Sequence, residues 1–146
     1  MLEVKDLVVS YGAINALKGI SFNVNEGEII SLIGSNGAGK TTTLHSISNI
    51  VKKQSGSVIF NGCDITNMQP DLIVKQNLIH VPEGRRIFQN LSVKENLEMG
   101  AFSKRARSKE KENLEYVYTV FPELKSMEKQ ACGNLSGGQQ QMVAIA

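Results

Sequence analysis

Gly34-Ser35-Asn36-Gly37-Ala38-Gly39-Lys40-Thr41 is the stretch on which the reading of this chain turns. It is a complete G-x-x-x-x-G-K-[ST] pattern. Before it, the apolar run Ile29-Ile30-Ser31-Leu32-Ile33 reads as a strand; after it, Leu44, Ile47, Ile50 and Val51 recur at helical spacing. Glycines permit backbone conformations closed to other residues, so successive N–H groups turn into one concavity, and the following helix adds the positive end of its dipole. Such a nest takes di- and triphosphates. Lys40 is expected to set its ammonium against the β- and γ-phosphates, Thr41 to offer its hydroxyl to Mg²⁺, and Thr42 to follow as a further donor from the first helical turn.

Working outward, the front of the chain is β-rich. Leu2-Val4, Leu7-Tyr11, Ala13-Leu17, Ile20-Val24 and Val58-Phe60 read as strands, parted by turn signals such as Tyr11-Gly12, Asn25-Glu26-Gly27 and Asn61-Gly62. Beyond them Pro70 suits a first helical turn, and Leu78-Ile79-His80-Val81 reads as a buried strand stopped by Pro82. Ser92-Val93-Lys94-Glu95 is a capping box, and Leu114, Val117, Tyr118 and Phe121 form a helical stripe ended by Pro122, so a helical module is expected over about 90–130. Lys104-Arg105-Ala106-Arg107-Ser108-Lys109, the basic cluster, reads as a solvated turn.

The composition is that of an ordinary soluble globular domain. The chain has 146 residues, 41% apolar and 21% charged, enough to bury about 68–70% of the surface its unfolded form exposes without disulfides or metals. A net charge of +2 lacks the electrostatic footprint of a nucleic-acid binder. No apolar run approaches the roughly 18–20 residues of a membrane span, and Met1-Leu2-Glu3-Val4-Lys5 has neither part of a secretory signal, so a cytosolic address is expected. Cys63 and Cys132 stand apart from metal-ligand spacing and His45 and His80 are lone histidines; all four read as structural.

A second glycine motif, Leu135-Ser136-Gly137-Gly138-Gln139, precedes a helical start at Gln140-Gln141-Met142-Val143. Alone it is a capping box, Ser136 with Gln139. Together with the cradle about a hundred residues earlier, it makes the chain resemble the ATP-binding-cassette ATPases: Gly34 to Thr41 is similar to their Walker A loop and Leu135 to Gln139 to their signature motif. The resemblance implies an α/β P-loop NTPase with an N-terminal antiparallel β subdomain. Along the chain, 1–89 would be that subdomain and the Walker A core, 90–134 a helical subdomain, and 135–146 the signature and the start of its helix. It also implies ATP and Mg²⁺ as cofactors and head-to-tail dimerisation with a second ATPase subunit, each signature covering the ATP on its partner's Walker A.

Two further positions follow from the resemblance. Tyr11 is similar to the aromatic that stacks on adenine, and Val81-Pro82-Glu83-Gly84-Arg85-Arg86 to the Q-loop, with Glu83 where most members carry Gln. That carboxylate adds a negative charge near the phosphates and is a candidate for Mg²⁺ or the attacking water. Val-Pro-Glu-Gly-Arg-Arg, with Phe121-Pro122-Glu123-Leu124 and the signature stretch, is similar to the LivF-type ATP-binding subunits of bacterial branched-chain amino acid importers. This implies permease subunits as docking partners, indirectly a periplasmic binding protein, no nucleic acid, and a place on the inner face of the cell membrane. Related urea and amide importers, and soluble cassette proteins acting on DNA or ribosomes, are the alternatives; the latter usually carry insertions or a second cassette that this sequence lacks. Family members place the Walker B Asp, the catalytic Glu and the switch His after the signature. The 146 residues therefore read as a truncated cassette with no catalytic residue of its own, expected to bind nucleotide without hydrolysing it.

Overall fold

The computed structural model describes residues 1–146 except the side chain of Lys104. The chain forms two compact units, Met1–His80 and Val81–Ala146, each with its own hydrophobic cluster.

In the first unit β1 (Leu2–Tyr11) and β2 (Ile14–Val24) form an antiparallel hairpin, followed by α1 (Lys40–Ile47), β3 (Ser55–Phe60), β4 (Cys63–Asp64) and α2 (Pro70–Lys75). The sheet order is β2-β1-β3-β4, antiparallel throughout. The sequence suggested two strands in place of β1 and two in place of β2. The gaps are register shifts within continuous strands: Asp6, at φ 49°, interrupts the inward alternation of Leu2, Val4, Leu7 and Val9, and Gly19 is the extra residue opposite. Gly56 of β3 meets this irregularity. A Cβ there would lie 2.6 Å from the carbonyl oxygens of Lys5 and Asp6, so only glycine lets β3 close against β1.

One face of the sheet carries the core. Leu2, Val4, Leu7, Val9, Leu17, Val58 and Phe60 are buried with Ile47 of α1, Ile65 just after β4, and Ile73 of α2. Helix α1 stops at Ile47, short of the expected stripe. Asn49 turns left-handed at φ 55° and its side-chain amide donates to the carbonyls of Ile65 (2.8 Å) and Met68 (2.7 Å). Lys53 donates to the Ser46 carbonyl (2.9 Å) and to the Asn49 side chain, where its cation also meets the negative end of the helix dipole.

Two expected strands do not form. Ile29-Ile30-Ser31-Leu32-Ile33 and Leu78-Ile79-His80-Val81 belong to no ladder among the described residues; Ile29 and Ile33 are each 95% exposed and Ile79 65%. An apolar run becomes a strand only where a neighbouring strand takes up its N–H and C=O groups, and the ladders of this unit pair other residues.

The second unit is helical. The capping box at Ser92 starts α3 (Val93–Gly100) with both reciprocal bonds present, and α4 (Lys104–Arg107), a single turn, stands where a solvated turn was expected. Helix α5 (Glu110–Val120) carries Leu114, Val117 and Tyr118, while Phe121 stands at its C-cap and Pro122 opens α6 (Pro122–Ser126). A short 3₁₀ turn at Cys132–Asn134 leads to α7 (Gly137–Ile145). Val93, Leu124, Cys132, Leu135 and Val143 form the buried cluster. Cys132 is one of its packing residues, its thiol pushed up from the usual range by burial.

Candidate functional site

The cradle is built by glycine geometry around one lysine. Gly37 (φ 83°) and Gly39 (φ 91°) both lie in the left-handed region. At Gly39 sterics reinforce the conformation: a Cβ would stand 2.7 Å from the Leu17 side chain and 2.9 Å from the Ala16 carbonyl oxygen of β2. Lys40 Nζ donates to the carbonyls of Gly34 (2.9 Å) and Ser35 (2.8 Å), folding back to the start of the loop and holding its curve. The Ala38 N–H closes the tip on the Ser35 carbonyl at 3.2 Å.

Helix α1 begins at Lys40 with Gly39 as its N-cap, no side-chain cap and no acidic residue in its first turn. Two of its hydroxyls bond back to carbonyls one turn earlier: Thr43 donates to the Gly39 carbonyl (2.9 Å) and Ser46 to that of Thr42 (2.6 Å). The positive end of the helix thus faces the loop with no carboxylate beside it, which suits an anion. Tyr11, at the end of β1 in the same unit, is 49% exposed, so a face of its ring is open to stacking.

The signature lies in the second unit and is closed where the cradle is open. Ser136 accepts from the Gln139 N–H (3.3 Å) while the Gln139 side chain accepts from the Ser136 N–H (2.9 Å), a complete capping box. Leu135 is buried and anchors the motif; Ser136, Gly137 and Gly138 face solvent. Gln140 ties the helix start to the carbonyls of Cys132 (3.2 Å) and Leu135 (3.3 Å).

Glu83 lies on an exposed loop where Gly84, Arg85 and Arg86 all have positive φ (77°, 63° and 47°). Val81 to Arg85 line a shallow cleft with Gln141 of α7, so the loop and the signature helix adjoin. Arg85 is a residue the sequence alone did not single out for this place. Its guanidinium lies over Gly137, 2.9 Å from where a Cβ would be, and donates to the Gln140 side chain at 3.4 Å. The only local signal for that turn was Gly84.

Comparisons with known proteins take these observations to a family. The family model described as ABC transporter matches residues 17–146. The chain is similar to the high-affinity branched-chain amino acid transport ATP-binding protein BraG of Pseudomonas aeruginosa, 39% identical over 99% of this chain and 62% of that protein. It is 33% identical to the probable branched-chain amino acid transport ATP-binding protein LivF of Archaeoglobus fulgidus, over 100% of this chain and 61% of the relative. The spermidine/putrescine import ATP-binding protein PotA of Mesoplasma florum is 34% identical, over 100% of this chain and 41% of its own. Among solved structures, a nucleotide-free ATP-binding cassette from an ABC transporter superposes with a TM-score of 0.84 at 28% identity, covering 99% of this chain and 62% of that one. An ATP-binding cassette of an ABC transporter in its ADP conformation gives 0.79 at 28%, with the same coverage. The chain spans about three fifths of the length of the branched-chain relatives it matches, and among the described residues no helix is long and apolar enough to cross a membrane. An open glycine loop at the head of one helix, a capped glycine motif at the head of another and the match over residues 17–146 lead to one conclusion: the chain belongs to the ABC transporter family, as one of its ATP-binding cassettes.

Proposed function

We propose that this chain is the nucleotide-binding part of the ATPase subunit that energises a bacterial importer of branched-chain amino acids. The observation that supports the reading most is the cradle, in which Lys40 spans the loop to Gly34 and Ser35 at the uncapped head of α1. The 39% identity to a branched-chain amino acid transport protein supports the substrate class; the 34% identity to a spermidine/putrescine import protein makes polyamine import the competing reading.

In this reading the N–H groups of Gly34, Ser35, Asn36, Gly37, Ala38 and Gly39 surround the phosphates, the Ala38 N–H leaving the Ser35 carbonyl, and Lys40 exchanges its two carbonyl partners for phosphate oxygens, forming shorter charge-assisted bonds. Thr42 adds a donor and Tyr11 stacks on the adenine. Thr41 and Glu83 each supply the kind of oxygen donor that Mg²⁺ takes. When bound, the ion neutralises charge on the phosphates.

Leu135, Ser136, Gly137, Gly138 and Gln139 serve the nucleotide of a second ATPase subunit, as dimerisation head to tail requires. Their capping box holds that surface ready before any partner arrives. Permease subunits on the inner face of the membrane, fed by a periplasmic binding protein, receive the movement.

The full-length protein in proteoliposomes with its permease tests the proposal. ATP-dependent leucine uptake, lost in Lys40→Ala, is the expected result. Putrescine uptake in place of leucine uptake would move the substrate to the polyamine class, and ATP-independent transport would overturn the reading.

A further inference from the structure

His45 and His80 take no part in the proposed function, yet the fold brings them together. His45 lies on α1, five residues after Lys40; His80 lies in the segment after α2; both are half-buried in the first unit. Their ring centroids are 5.2 Å apart and the rings are tilted by 54°. The geometry points to a two-histidine site for a borderline transition-metal ion such as Zn²⁺ or Cu²⁺, clamping the segment after α2 to the cradle helix.

The separation is the first argument. With metal–nitrogen distances of about 2.0–2.1 Å, each ring centroid lies about 3.2 Å from the ion, and a tetrahedral angle between two ligands sets the centroids about 5.2 Å apart. A half-turn of either ring exchanges its nitrogen and carbon edges without moving the centroid, so each ring can present nitrogen to a shared point.

Chemistry is the second. A ligating imidazole must be neutral, as an ordinary histidine is above about pH 6.5. Imidazole suits Zn²⁺ and Cu²⁺, whereas Mg²⁺ prefers oxygen, so this site would not compete for the nucleotide's cation. No third His, Cys, Asp or Glu joins the pair among the described residues, leaving water to complete the coordination. Two rings that merely pack at this tilt are the competing state, and they bind no ion.

Titrating Zn²⁺ into the nucleotide-free 146-residue chain, with Mg²⁺ in excess, separates the two. One equivalent is expected to bind, at least tenfold more weakly in His45→Gln and in His80→Gln, with Cys63→Ser unchanged. Unchanged affinity in either histidine variant, or loss of binding in Cys63→Ser, would overturn the site. Should a histidine variant fail to fold, the electron paramagnetic resonance spectrum of the Cu²⁺-loaded unaltered chain reads the ligands directly. Two imidazole nitrogens are expected, and any other donor set refutes the clamp.

Discussion

Helices α1 and α7 both start at a glycine motif, and they start in opposite ways. The N-cap of α1 is Gly39, in the left-handed region and without a side chain to give; that of α7 is Ser136, extended and bonded reciprocally with Gln139. A capping box satisfies donors internally and makes the helix head stable by itself. An uncapped head beside a folded-back lysine leaves donors to an outside anion. The cradle is therefore expected to gain stability from its ligand, and the signature to present a finished surface.

The largest expected break in this contrast is Lys40→Ala. Removing a charge-assisted contact should weaken Mg-ATP binding to the chain roughly a hundredfold, about 2.7 kcal/mol, as measured by calorimetry. Equal binding in the variant would mean that the glycine loop alone makes the site. Gly39→Ala comes next. Its positive φ, with the 2.7 Å approach to Leu17 and 2.9 Å to the Ala16 carbonyl, should destabilise the first unit by about 2 kcal/mol; hydrogen exchange in β2 and α1 should rise while the second unit stays protected.

Ser136→Ala probes the other helix and should cost about 1 kcal/mol, the worth of an N-cap. The loss should appear as faster exchange in the first turn of α7, with Mg-ATP affinity of the chain unchanged. Weaker nucleotide binding would show that the signature serves the nucleotide of its own chain. A smaller effect still is expected for Glu83→Gln. ATP affinity should stay within tenfold, under about 1.4 kcal/mol, because the cradle supplies most of the binding, while turnover of the full-length protein shifts with the lost charge. Unchanged turnover and unchanged preference between Mg²⁺ and Mn²⁺ would remove Glu83 from the mechanism.

What the sequence made legible follows the range of the interactions. Both capping boxes were readable because a side chain and an N–H three residues away are all they contain, and the structure has all four bonds. Pro70 likewise marked the first turn of α2. Ladders are different. Ile29 to Ile33 and Leu78 to Val81 have the composition of buried strands, but a strand is a relation between two segments, and composition does not say whether a second segment lies alongside. The continuity of β1 through Asp6 was hidden because the register shift that mends it involves Gly19 and Gly56, on two other strands. At the site, Lys40 followed from its motif, whereas Arg85 over Gly137 spans more than fifty residues and had no pattern to announce it.

Acid offers the mildest way to set the two units apart. In the first unit His80 holds its proton less tightly than an unfolded histidine does, through burial and then the nearby His45. As pH falls through the ordinary value of about 6.5, the unfolded chain takes up a proton that the folded chain resists; the stability present above that pH is progressively lost below it. In the second unit the Ser92 hydroxyl, then the Ser92 N–H, hold Glu95 below the usual carboxylate range, so its contribution is present above about pH 4.3 and lost as pH falls further. Between pH 7 and 5.5, exchange should therefore quicken in α1 and β3 and stay level in α3. His80→Gln should flatten the dependence in the first unit alone. A uniform loss across both units in that window would show that they unfold as one cooperative body, and the contrast between the two helix heads would then carry no separate energetic signature.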